Sequence, residues 1–147
     1  MIRGSCLCGS VQFEFTRPAG PFELCHCSRC RKVSGSAYRA GLLVQGADFH
    51  LIEGKELIKT FEAPVTEAPP PYRQCFCGRC GCPAPIQTHG GLWFVPAGLL
   101  DDDPKVKPDK HIYVELKAPW DTITDQLPQM TKPDIRAHRA RESQAKA

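Results

Sequence analysis

Residues 75–82 read Cys75-Phe76-Cys77-Gly78-Arg79-Cys80-Gly81-Cys82, four thiols in one short stretch. A Cys-x-x-Cys knuckle of this kind, with Gly78 and Gly81 easing the turn, offers two sulphurs to one metal ion, and zinc needs two more from elsewhere to complete its tetrahedron. The remaining thiols also lie in tight groups: Cys6 and Cys8 near the start, then Cys25, Cys27 and Cys30 within Cys25-His26-Cys27-Ser28-Arg29-Cys30. Buried apolar thiols have no reason to fall into three such clusters, so the pattern speaks for metal.

Composition sets the frame around these clusters. A chain of 147 residues predicts one domain with a modest core. With 41% hydrophobic and 24% charged residues it lies in the globular range, which excludes wholesale disorder. Nine cysteines and fourteen prolines favour a loop-rich, stapled structure over a helix bundle. The net charge of +3 is too small to support nucleic-acid binding by counterion release, so a nucleic-acid partner is not expected. No apolar run reaches membrane-spanning length and Met1-Ile2-Arg3-Gly4-Ser5 lacks the marks of a signal peptide, giving an expectation of no membrane and a cytoplasmic location. Thiols in that reducing compartment are metal ligands more readily than disulfides.

Strand signals dominate the rest. Val11, Phe13 and Phe15 alternate with Gln12 and Glu14, the period of a half-buried strand. Tyr38–Val44, Phe49–Ile52, Leu57–Phe61, Tyr72–Phe76, Leu92–Val95 and Ile112–Leu116 read the same way, predicting a mainly β domain of short antiparallel strands with few or no helices. Gly46, Gly54, Gly90 with Gly91, and the stretch Ala63–Pro71 with its prolines break the segments; that stretch reads as a surface loop and not a linker. Asp101–Asp103 reads as a solvated turn before Pro104, since consecutive residues cannot all face one ion. Residues 130–147, with Arg136, Arg139, Arg141 and Lys146 and few large apolar side chains, are expected as a basic, flexible tail after a domain spanning 1–129.

A four-ligand site needs two pairs, and the candidates are Cys6 with Cys8 and Cys77 with Cys80. Cys25, Cys27 and Cys30 are then left as a three-ligand site, the number that catalytic zinc keeps when one position is held for water or substrate. His26 is a candidate fourth ligand, although the middle side chain of a Cys-x-Cys segment tends to point away from its neighbours; Cys75 and Cys82 are rivals for that position. Three thiolates on zinc carry a formal charge of −1, and Arg29, Arg31 and Lys32 supply nearby cations to offset an added external thiolate. The five histidines, His26, His50, His89, His111 and His138, are scattered and are expected to be structural or surface residues.

The order Gly-Ser-Cys6-Leu-Cys8-Gly, then Cys25-His26-Cys27-Ser-Arg-Cys30 running on to Tyr38, then Phe76-Cys77-Gly-Arg-Cys80-Gly81, then Trp120 and Leu127-Pro128, resembles the glutathione-dependent formaldehyde-activating enzyme (GFA) family. The resemblance covers Gly4 to Pro128. It implies a β-tent fold and two zinc ions, one structural on Cys6, Cys8, Cys77 and Cys80 and one catalytic or labile on Cys25, Cys27 and Cys30, with Cys75 and Cys82 as extras. It also implies a carbon–sulfur lyase acting on a thiol adduct, with glutathione or a similar small-molecule thiol and an aldehyde such as formaldehyde as partners. No motif marks a glutathione pocket. Two other classes stay open on the residues alone: a non-catalytic zinc-stabilised binding module, and a thiol redox protein using Cys75 or Cys82. Oligomeric state is not encoded in any motif.

Overall fold

The structure is a computed structural model that describes residues 1–64 and 72–145. Most of the Ala63–Pro71 stretch, expected as a surface loop, therefore lies outside the described residues. The chain divides into two compact units, each assembled from two separated stretches: Met1–Pro21 with Gly41–Val106, and Phe22–Ala40 with Lys107–Ala147.

The first unit is built on antiparallel strands. β1 (Ile2–Ser5) pairs β2 (Gln12–Phe15), and β2 pairs β5 (Phe49–Glu53), with Phe15 opposite Phe49. The alternation read from Val11 onward puts Phe13 and Phe15 inward, fully buried, while Gln12 faces solvent. Phe49 stacks between Phe13 and Trp93, with ring centroids 5.7 Å and 4.2 Å away. β4 (Arg39–Gln45) pairs β9 (Leu92–Pro96) through Gly41–Gln45, and β9 pairs the short β8 (Ile86–Gln87). Leu42, Val44 and Val95 make this face apolar and fully buried. β6 (Ile58–Glu62) and β7 (Arg73–Cys77) form a separate two-stranded ribbon, with Ile58 opposite Cys77.

The second unit contains β3 (Phe22–Cys25), β10 (Lys110–Ile112) and β11 (Gln129–Met130), and here both strand pairs are parallel, β10 lying between its two neighbours. The strand pairs of the first unit are antiparallel as expected, and these two are parallel because strands from distant parts of the chain meet here with no hairpin to set their direction. The predicted strand Ile112–Leu116 ends at Ile112, because Tyr113 takes a left-handed φ of 57° and Val114–Leu116 close into a 3-10 turn. Two α-helices complete the described elements, α1 (Ser28–Ser34) and α2 (Lys132–Ala145).

α2 replaces the flexible tail expected over 130–147. Asp134 supplies its half of a capping box to Thr131, its carboxylate accepting from the Thr131 backbone N–H at 2.8 Å and hydroxyl at 2.6 Å. Pro133 sits in the first turn, where no N–H is required of it. Ile135 is buried and Arg139 reaches Glu23 at 3.4 Å, so one apolar anchor and one ion pair dock an otherwise polar helix. Asp101–Asp103 is a solvated turn as expected, with Asp102 receiving both the backbone and the guanidinium of Arg3.

Candidate metal centres

In the first unit, Cys6 and Cys8 lie on the loop between β1 and β2, and Cys77 and Cys80 on the turn leaving β7. Their four sulphurs all lie within 4.8 Å of one another. Two knuckles of the same design bring them there. Gly9 donates its N–H to the Cys6 carbonyl and Gly81 donates to the Cys77 carbonyl, both at 2.8 Å. Gly9 and Gly81 each have a φ of 73°, a conformation that glycine enters without a Cβ clash. The sulphurs of Cys6 and Cys8 are 3.6 Å apart and those of Cys8 and Cys77 are 3.9 Å apart. Zinc–sulphur bonds of about 2.3 Å in a tetrahedron need sulphur–sulphur edges of about 3.8 Å, so this donor set fits a closed zinc site.

The Val11 backbone N–H points at Cys6 Sγ at 3.3 Å, the kind of amide contact that steadies a thiolate. The Ser10 hydroxyl and backbone N–H pull the Cys8 thiol down to about 6, while burial pushes Cys6 up. Behind the knuckles, Cys6, Val11 and Cys77 form a buried cluster flanked by Leu51, Leu57, Ile58 and Cys82. Cys82 is thus a packing neighbour of the four-sulphur group. Cys75 lies in β7 with its sulphur 3.5 Å from the Thr60 hydroxyl.

In the second unit, Cys25 ends β3, Cys27 caps α1 and Cys30 lies one turn into that helix. Their sulphurs also fall within 4.8 Å of one another, and among the described residues no fourth cysteine, histidine or carboxylate joins the group. The Cys27 sulphur accepts the Cys30 backbone N–H at 3.4 Å, so the helix cap is itself one of the three thiols. Gathering three thiols without a cation forces them to share protons. Cys27 is drawn down to about 2 by hydrogen bonds from Cys25 and Cys30, and Cys25 is driven upward by its own contacts with Cys27 and Cys30. A divalent cation removes that conflict by holding all three as thiolates, which is the chemical reason this donor set suits zinc.

Of the predicted cations, Arg29 acts on the cluster by favouring the charged form of Cys27. Arg31 instead donates Nε to the His26 carbonyl at 3.3 Å, and Lys32 is exposed. The buried Arg39, which the sequence reading passed over, favours the charged form of Cys30.

His26 does not join the sulphurs. Its ring is fully buried and its Nε2 lies 2.8 Å from His111 Nδ1; His111 Nε2 in turn lies 3.0 Å from Asp125 Oδ2. Burial, before any other cause, lowers the His26 value. Of the two roles expected for the histidines, structural or surface, His111 takes the buried one, beside His26. No spacing in the sequence could have paired it with His26, since 85 positions separate them.

The GFA family model, described as glutathione-dependent formaldehyde-activating enzyme, matches residues 1–116. The chain belongs to the GFA family. The match includes all nine cysteines and stops short of Trp120 and Leu127-Pro128. A Halomonas elongata protein named "Putative glutathione-dependent formaldehyde-activating enzyme" is 31% identical over 132 residues, 82% of this chain and 79% of that protein. The crystal structure of a Rhodobacter sphaeroides protein is similar in fold, with a TM-score of 0.55 over 86% of this chain and 98% of that one, at 21% identity. The GFA chain described here is thus mainly β, carries two thiol clusters able to hold metal ions, and among the described residues has no helix long and apolar enough to cross a membrane.

Proposed function

We propose that this GFA-family chain is a zinc-dependent carbon–sulfur lyase-type enzyme that interconverts glutathione and formaldehyde with their S-hydroxymethyl adduct. The observation that carries the reading is the contrast between the two clusters. Cys6, Cys8, Cys77 and Cys80 make a set of four, whereas Cys25, Cys27 and Cys30 make a set of three, one donor short of the four that a tetrahedral zinc takes. Glutathione and formaldehyde enter from the family description and from the name of the Halomonas relative.

In the forward direction the glutathione sulphur bonds to the aldehyde carbon, the carbonyl π pair moves to oxygen, and the thiol proton ends on that oxygen. Zinc at the three-cysteine site would supply a cation that keeps the incoming sulphur ionised at neutral pH and holds it in place. The chain's own part is to present Cys25, Cys27 and Cys30 from a strand end and a helix cap. Arg29 and Arg39 balance the accumulated negative charge. Residues 1–129 carry this chemistry, the four-cysteine site being structural. All nine cysteines are unpaired, which suits a reducing, cytoplasmic setting.

The test is a titration of zinc-loaded protein with glutathione, followed by zinc-edge absorption, with adduct formation from formaldehyde read by NMR. One of two zinc ions should gain an external sulphur, and Cys27→Ser should lose one zinc, the glutathione response and the turnover while staying folded. Two zinc ions untouched by glutathione would replace the enzyme with a zinc-stabilised binding module. Zinc loss on mild oxidation with a disulfide at Cys75 or Cys82 would favour a redox protein.

A further inference from the structure

The residues between and behind the three thiols form a chain that the proposed chemistry does not use. His26 sits between Cys25 and Cys27 with its ring fully buried, 2.8 Å from His111, which lies 3.0 Å and 3.2 Å from the two oxygens of Asp125. Asp125 is in turn fixed by the Leu127 backbone N–H at 2.9 Å. At the other side of His26, Nδ1 faces Asp121 Oδ2 at 3.7 Å. Tyr38 packs on both imidazoles, with ring centroids 5.3 Å and 6.2 Å away.

The direction of the hydrogen bonds follows from the chemistry of the end group. A carboxylate only accepts, so His111 carries its proton on Nε2. With both imidazoles neutral, His111 Nδ1 then accepts from His26 Nε2–H. The backbone is held as well: His26 N–H donates to the Ile112 carbonyl at 2.9 Å and His111 N–H to the Pro128 carbonyl at 2.8 Å. Cys25 ends a strand and Cys27 has extended dihedrals, so side chains at 25, 26 and 27 alternate in direction. Pinning the His26 ring on one side therefore sends the Cys25 and Cys27 sulphurs to the other, toward Cys30.

We propose that His111 and Asp125 are positioning residues: through His26 they fix the splay of Cys25 and Cys27 and so preorganise the three-thiolate site. This rests on the reading of Cys25, Cys27 and Cys30 as a metal centre. Groups hydrogen-bonded behind a metal site commonly alter affinity by about 10- to 100-fold when removed. The half-exposed Asp125 can be altered without opening the core.

The experiment loads the full chain with Co(II) and reads sulphur-to-metal charge-transfer absorption, together with zinc retention against a chromophoric chelator and the melting temperature. Asp125→Asn should weaken the more labile site by about tenfold and change its cobalt spectrum, leaving the other site and the melting temperature unchanged. His111→Asn keeps an acceptor for His26 and should retain more affinity than His111→Phe, which keeps only the ring. Unchanged affinity and spectrum in Asp125→Asn overturn the proposal. So does a parallel loss of both metals or of thermal stability, which is what a general structural role gives. Cobalt uptake by Cys27→Ser equal to that of the wild type removes the metal-centre reading itself, whereas normal two-site uptake in the wild type with silent Asp125 and His111 variants removes only this inference.

Discussion

Replacing Cys77 by serine should unfold the protein or leave it insoluble. Cys8 and Cys77 bring their sulphurs to 3.9 Å across 69 positions of sequence. A crosslink closing a loop of that length removes about 4 kcal/mol of chain entropy from the unfolded state, by the polymer estimate applied to disulfides. Cys77 is fully buried, packed with Cys6 and Val11. A serine hydroxyl left there without a partner costs about 1–3 kcal/mol more. Together that is about 5–7 kcal/mol, within the whole net stability of an ordinary domain. Soluble yield, zinc per chain and thermal unfolding by circular dichroism measure the effect. Cys82→Ser is the control, because Cys82 packs on the same cluster without belonging to the four-sulphur group. It should keep its zinc and lose about 1 kcal/mol. A soluble Cys77→Ser protein with unchanged zinc content and melting temperature would refute the crosslink. Equal damage from Cys82→Ser would show that packing, not metal, holds this corner together.

Two further outcomes follow from the packing and the capping. Phe49→Ala removes the central ring of the Phe13–Phe49–Trp93 stack and should cost about 3–5 kcal/mol in chemical denaturation, with Phe49→Leu recovering a good part; a loss under about 1 kcal/mol would mean the stack is not core. The Asp134 carboxyl is held below the ordinary carboxylate range by the Thr131 hydroxyl and N–H, so its contribution to α2 is complete above that range and disappears as pH falls through the lowered value. Wild type should therefore protect the Ile135 amide better than Asp134→Asn near neutrality, and the difference should shrink on acidification; a difference that grows instead contradicts the capping box.

Most of the first unit was legible because its signals are local. Val11–Phe15 alternates over a buried face, and each cysteine knuckle carries its own glycine, so strand and ligand pair can be read within a few residues. The second unit hides its determinants in two ways. Tyr113 interrupts Ile112–Leu116 by a backbone turn that an apolar alternation cannot reveal. α2 buries only Ile135, so no periodic apolar face marks it, although the Thr131-Lys132-Pro133-Asp134 box was there to be read. The three-cysteine cluster was visible, but its support was not: Arg39 lay inside a predicted strand and His111 just before another, each with no sign of its target. A sequence motif names the groups that touch the metal because they sit close together in the chain. Residues that aim those groups arrive from distant elements, and in this protein the buried His26, His111 and half-exposed Asp125 are where that distinction becomes measurable.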